Sequence, residues 1–158
     1  MVAPPLARYL RARGCEDIEG VASEVFLRVF RSLRSFAGSE EQFRAWVFTI
    51  ARNLMRDEHR RRSRRVTTEE LDEASAASVQ GGDVEDEALD QGSEKWVQSV
   101  LAELPDVHRE VLVLRIVGDL TIDEVATVIG KSRGATKAIQ RRALAAVRRI
   151  ISNSGVPL

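Results

Sequence analysis

The stretch LTIDEVATVIGKSRGATKAIQRR, residues Leu120 to Arg142, reads as two short helices joined by a tight turn. Thr121 followed by Glu124 is a capping box, in which each side chain satisfies a first-turn amide that the helix leaves unpaired. Leu120 can pack on Val125 as a hydrophobic staple. Gly130 ends the first helix, because glycine enters the left-handed backbone region without steric cost. Ser132 caps the second, and small Ala126 allows the two helices to approach. This is the helix-turn-helix plan. The second helix carries Arg133, Lys137 and Arg141 four apart, with Gln140 and Arg142 alongside. Its expected inward stripe is Ala135, Ile139, Ala143, Val147 and Ile150. Arg and Lys can address guanine edges or phosphates, and Gln can address adenine, so the outward face suits a major groove. A basic face is also common on plainly solvated helices. Caps, glycine turn and cations in one register favour DNA.

Upstream of this unit the pattern stays helical. Val97, Val100, Leu101 and Leu104 share a face, Pro105 suits a first helical turn, and Val107, Val111 and Leu114 continue to a stop at Gly118. Near the N-terminus, Gly14 ends a short helix. Ile18, Val21, Val25 and Val29 then repeat at helical spacing, with Ala22, Phe26, Phe30 and Leu33 widening the stripe. Gly38 interrupts, Ser39 and Gln42 form a second capping box, and a long helix follows. Its face is Phe43, Val47, Ile50 and Leu54, and it ends in Arg60, Arg61, Arg62, Arg64 and Arg65. From Val66 to about Ser93 periodicity fails in favour of acids, Ser, Ala, Gly and Gln. Such a segment cannot bury enough apolar area to offset ~1–2 kcal/mol of chain entropy per residue. The expectation is an all-α chain of two small helical domains, residues 1–65 and 94–152, joined by a flexible acidic linker over 66–93. Strand alternation and internal repeats are absent from the sequence.

A net charge of zero hides a segregated pattern. Residues 1–65 balance at +6, residues 66–94 hold ten acids and no base, and residues 95–158 balance at +4. Two cationic bodies and an acidic strap point to two anion-binding surfaces. One cysteine, Cys15, excludes an internal disulfide, and two distant histidines, His59 and His108, are too few for a metal site. The opening residues do not read as a signal peptide, and no apolar run reaches the ~20 residues a membrane span requires. A cytoplasmic protein without metal, cofactor or membrane insertion is the expectation. No phosphate-binding glycine loop or nucleophile–base set is present either. Asp57, Glu58 and His59 are adjacent, but helical neighbours point in different directions. An enzyme is therefore not expected.

Two blocks carry a resemblance. Residues 101–115, LAELPDVHREVLVLR, resemble the opening of sigma region 4, where an L-x-x-L-P-x-x-x-R-E-V-L-x-L-R pattern leads into a helix-turn-helix. Residues 130–144, GKSRGATKAIQRRAL, look like that family's recognition helix. Residues 17–30, DIEGVASEVFLRVF, resemble sigma region 2.2, and residues 43–54, FRAWVFTIARNL, resemble regions 2.3 and 2.4 with their I-A-R-N signature. The chain thus resembles the extracytoplasmic-function (ECF) group of bacterial RNA polymerase sigma factors over about three quarters of its length.

That resemblance implies a factor that binds core RNA polymerase and directs promoter-specific initiation. Region 2 would dock on the beta-prime clamp helices through Asp17, Glu19, Gly20, Ser23 and Glu24, and would melt and read the minus-ten element. Region 4 would meet the beta flap and read the minus-thirty-five element through Arg133, Lys137, Gln140, Arg141 and Arg142. Asn53 falls where the group contacts a flipped minus-ten base, and the Phe36–Phe43 segment matches the loop that pockets it. A base out of the stack needs apolar walls and cations nearby. Phe36, Phe43 and Trp46 could stack, and Arg44, Arg52 and Arg56 could hold phosphates. Phe43 also fits a core position. Gly20 and Ser23 replace the family's usual acid and glutamine, Thr136 replaces a valine, and the first helix is expected to be curtailed. No further domain is expected after Arg149.

A helix-turn-helix regulator acting alone is the competing reading. It would require dimerisation on paired half-sites, for which the sequence shows no interface. Many relatives are held by an anti-sigma protein. The acidic linker could instead shield the basic faces internally, since charges act over roughly 8 Å at physiological salt.

Overall fold

The computed structural model describes residues 2–68 and 87–155, and side chains within those spans except for 67, 68 and 87–90. Seven α-helices and no strand occur among the described residues: α1 (Ala3–Ala12), α2 (Ile18–Ser32), α3 (Glu40–Thr68), α4 (Glu87–Ala102), α5 (Asp106–Leu112), α6 (Ile122–Ile129) and α7 (Arg133–Asn153). A short 3-10 turn, Leu33–Ser35, follows α2, and a π-helical turn, Val113–Val117, follows α5.

Local chemistry sets most of these ends. Asp17 caps α2 by accepting from the Gly20 amide at 2.9 Å. Ser39 and Gln42 close their box on α3, with Ser39 N–H donating to Gln42 Oε1 at 2.8 Å and Gln42 N–H to Ser39 Oγ at 3.2 Å. The Thr121–Glu124 box and the Ser132 cap form as read from the sequence. Gly130 sits at φ 69°, the left-handed turn between α6 and α7. Pro105 stands one residue before α5 rather than inside its first turn, because its ψ of 146° is extended.

Two elements reach into the stretch read as irregular. Helix α3 continues to Thr68 and α4 begins at Glu87. Helix formation needs no apolar stripe where Glu, Ala and Leu follow one another, so loss of periodicity misplaces the ends. The flexibility expected of the intervening chain falls on residues 69–86, outside the described residues.

The larger difference lies in how the halves meet. Leu6, Tyr9 and Leu10 of α1, Val25 and Val29 of α2, and Val47, Phe48 and Ala51 of α3 share one buried cluster with Val111, Val113, Leu114, Leu120, Val125, Val128, Ile129 and Ile139. The two loosely tethered bodies expected from the sequence are, in this conformation, packed through α3 against α6 and α1 against the π turn. Helix α3 is apolar on two sides. Val47 faces the first half's core, while Ala45, Phe48 and Ala51 are buried as well. Phe48 meets Tyr9 edge-on at 5.4 Å. Gly118, which closes the π turn, comes so near that a Cβ there would lie 3.3 Å from Phe48 Cε1. A smaller cluster of Leu104, Leu112 and Ala143 joins α4, α5 and α7. Arg109 fastens that corner by donating to the carbonyls of Leu101 at 2.7 Å, Ala102 at 3.2 Å and Leu104 at 3.1 Å, which the end of α4 leaves unpaired.

Some stripe positions turn outward. Phe26, Phe30 and Leu33 are exposed, Phe30 by 76%. They lie on the α2 flank that no other helix covers. In α7 the inward residue of the first turn is Thr136, fully buried, and not Ala135, which is exposed. The Thr136 hydroxyl donates to Ser132 O at 2.8 Å, so a polar atom sits satisfied where an aliphatic one was the family's habit.

Candidate nucleic-acid interface

Three surfaces carry the candidate residues. On α7, Arg133, Lys137, Arg141 and Arg142 are exposed, while Thr136, Ile139 and Ala143 are buried on the opposite side. Helical periodicity alone produces this segregation, and it presents cations along the first three turns of the helix. Arg133 Nε lies 3.3 Å from Asp123 Oδ1, with both side chains more than half exposed, a pairing that solvent and salt weaken. Gln140 is different. It is half-buried and accepts from Arg115 Nε at 3.3 Å, while Arg115 also donates to Leu120 O. In this conformation Gln140 braces the entry to the helix-turn-helix rather than pointing at a base.

At the start of α3, Phe36, Phe43 and Trp46 pack on one another. Phe36 stacks on Trp46 at 4.9 Å between centroids and 9° between planes, and Phe43 meets both edge-on, at 5.5 and 5.9 Å. All three are half-buried, so the aromatic wall exists, with its rings presently filling one another's faces. Asn53 and Arg56 are exposed further along the same helix.

Arg52 departs from the expectation of a phosphate-facing cation. Its Nε donates to Glu110 Oε1 at 2.7 Å, with side-chain exposures of 18% and 4%. Arg44, on the same helix, donates to Asp119 O and lies 3.7 Å from Glu124 Oε1. Arg13 reaches Asp106 at 3.2 Å. Each of these pairs joins the first half to the second. Neither Glu110 nor Glu124 stands out in the sequence as a partner for α3, since nothing local links residues 58 or more apart.

The acidic start of α2 forms the third surface. Asp17 is engaged as the helix cap, and a Cβ at Gly20 would lie 2.0 Å from Asp17 Oδ2. The glycine found where the family usually has an acid therefore accommodates the cap. Glu24 pairs with Arg28 at 2.9 Å along the exposed helix, and Glu19 and Ser23 are exposed. Cys15, just before α2, is half-buried. Burial raises its thiol pKa above the ordinary value, with the nearby Asp17 charge adding to the rise and the Asp17 backbone and Arg62 opposing it. Burial likewise pushes the Tyr9 phenol far up, reinforced by Glu110.

Among the described residues no group of His, Cys, Asp and Glu could hold a metal ion, and no helix is long and apolar enough to cross a membrane.

Comparison with known proteins bears on the whole arrangement. The family profile "Sigma-70 region 2" matches residues 3–65, and "Sigma-70, region 4" matches residues 100–149. The ECF RNA polymerase sigma factor BldN of Streptomyces coelicolor is 34% identical over 90% of this chain, which spans 54% of that protein's length. The ECF sigma factor ShbA of Streptomyces griseus is 32% identical over 93% of this chain and 82% of its own. Among solved structures, CnrH in complex with the cytosolic domain of CnrY superposes with a TM-score of 0.67 at 27% identity, covering 94% of this chain and 81% of that one. With both conserved regions in order and a relative matched over most of its length, this chain belongs to the ECF sigma factors of the sigma-70 family.

Proposed function

We propose that this chain binds core RNA polymerase and directs promoter-specific initiation, with α3 serving the minus-ten element and α7 the minus-thirty-five element. The observation that carries the reading is the segregation of α7. Arg133, Lys137, Arg141 and Arg142 stand outside, over a face buried through Thr136, Ile139 and Ala143. A helix of that kind, following a short capped helix and a glycine turn, suits a major groove, with its first turns near base edges and flanking cations near phosphates.

On region 2, Asn53, Arg56 and the Phe36–Phe43–Trp46 cluster are the residues for an extruded minus-ten base and its strand. The cluster supplies stacking faces once one ring swings aside, and single strands bind through such stacking together with cations. Docking on the polymerase's beta-prime clamp helices falls to α2, whose acids Glu19 and Glu24 flank the uncovered Phe26, Leu27, Phe30 and Leu33. Region 4 would meet the beta flap. An anti-sigma protein is a further partner, since the relatives of known structure include a sigma factor with its cytosolic antagonist. The role is that of a non-enzymatic, cytoplasmic adaptor: the chemistry belongs to the polymerase.

Run-off transcription with purified core polymerase over a promoter library tests this directly. A promoter-specific transcript dependent on the chain is expected. Core binding without any such transcript would remove the reading. A gel shift without polymerase separates it from a free-standing regulator, which would grip duplex DNA alone and as a dimer.

A further inference from the structure

Within region 2, α3 carries its inner cations against region 4 rather than toward solvent. Arg52 is held by Glu110 at 2.7 Å and its guanidinium also reaches Val128 O at 3.5 Å. Arg44 is held by Asp119 O and lies near Glu124. Both carboxylates are buried, with 3% of each residue exposed. Between the two pairs, Ala45, Phe48 and Ala51 pack against Val125, Val128 and the Gly118 backbone. A carboxylate and a phosphate offer an arginine the same kind of anionic, fork-matching acceptor.

We infer that Glu110 and Glu124 act as internal stand-ins for promoter phosphates, latching region 4 over α3, so that the strand-binding cations become available only when the halves separate. The inference rests on the proposed function in one respect, namely that α3 binds a DNA strand.

The latch is selective. The uncovered α2 row of Phe26, Leu27, Phe30 and Leu33 stays exposed in the closed conformation, as do Arg133, Lys137, Arg141 and Arg142 on α7. Closure therefore hides the minus-ten cations while leaving the polymerase-facing helix accessible. The order that follows is polymerase first, opening second, minus-ten strand third. A free sigma chain closed in this way binds stray single strands weakly, because its apparent affinity is reduced by the fraction of molecules that are open.

The acidic stretch between the halves was the sequence's candidate for internal shielding, and most of it lies outside the described residues. Region 4's own carboxylates fill that role on the inner face of α3.

The test uses the full chain with Glu110→Gln and Glu124→Gln together. Glutamine keeps the size of each side chain, and at residue 124 it keeps the capping box, while it removes the charge that pairs with arginine. Three quantities are read in parallel. Small-angle scattering of the free protein should show a larger radius of gyration for the double variant. Fluorescence anisotropy with a short labelled single-stranded DNA should show affinity increased about tenfold for a wild type that is about nine-tenths closed. Binding of an isolated beta-prime clamp-helix fragment should be the same for both proteins. An unchanged radius with a strand affinity within threefold of wild type would overturn the latch. So would a clamp fragment that binds the variant several-fold more tightly, since α2 would then have been covered.

Hydrogen exchange of the wild type gives a second route if the double variant folds poorly. Added single strand should lower protection across α6 while raising it on α3. Strand bound to α3 with α6 protection unchanged also overturns the latch. These readouts involve no transcription. A wild type that initiates from promoters while failing them keeps the sigma reading and loses the latch, and the converse result does the reverse.

Discussion

Replacing Phe48 by alanine tests whether one core spans the two halves. The ring is fully buried, meets Tyr9 edge-on at 5.4 Å, and abuts the Gly118 backbone across the interface. Truncating a buried phenylalanine costs ~3–5 kcal/mol, the range reflecting how far the surroundings collapse into the space left. Collapse is hindered here. One wall is the π turn, whose Gly118 amide is committed to Val113 O at 2.9 Å, and the other is Tyr9, itself fully buried. The lost edge-to-face pair lies within the upper part of that range, at ~0.5–1.5 kcal/mol. A loss near 4 kcal/mol is expected. For a chain of this length that corresponds to a melting point lower by roughly 8–16 °C, at ~2–4 °C per kcal/mol.

The assay is urea unfolding followed by circular dichroism, together with a probe confined to each half. With a shared core, both halves should report one transition in the wild type and move together in Phe48→Ala. A loss below about 2 kcal/mol would refute the packing argument. A shift confined to the first half, with the second half's transition unmoved, would refute the shared core.

Three other expectations follow from separate observations. Ser132→Ala removes the cap that accepts from Ala135 N–H at 3.1 Å and should cost about 1 kcal/mol, readable as a lower urea midpoint at unchanged slope. Lys137→Ala and Arg142→Ala should each weaken holoenzyme binding to minus-thirty-five DNA and reduce the slope of log affinity against log salt by about one unit, if the residue neutralises one phosphate; an unchanged slope in both would take these side chains off the DNA. Cys15 has a raised thiol pKa, so the reactive thiolate accumulates only at higher pH than in a free cysteine. Its alkylation rate with bromobimane should accordingly reach half-maximum above about pH 8.5, the value typical of free cysteine, and a midpoint below that value would contradict the burial argument.

The site was legible in the sequence to different depths. The cations of α7 were found because a single helix with one apolar stripe leaves few choices for its other face. Arg52 and Gln140 were assigned to DNA for the same reason, by position on a helix, and in this conformation both point elsewhere. Arginine on the polar side of a helix reads identically whether its acceptor is a phosphate or a carboxylate. The partners Glu110 and Arg115 lie 58 and 25 residues away. Phe26, Phe30 and Leu33 were read as core because they extend an apolar stripe, yet the helix that would have to cover them is absent from that flank of α2. The π turn at Val113–Val117 leaves no composition signal, since its residues are the same Val, Leu and Ile that make an ordinary helix.

Caps, boxes, turns and stripe periods arise from interactions within about four residues, and so the sequence by itself determined the all-helical class, most helix ends, the helix-turn-helix and the family. Whether the halves stand apart, which arginines are occupied and which apolar row is left uncovered depend on surfaces that meet only after the helices exist. Those were decided by the tertiary structure, through the burial of Phe48 against Gly118 and the pairing of Arg52 with Glu110.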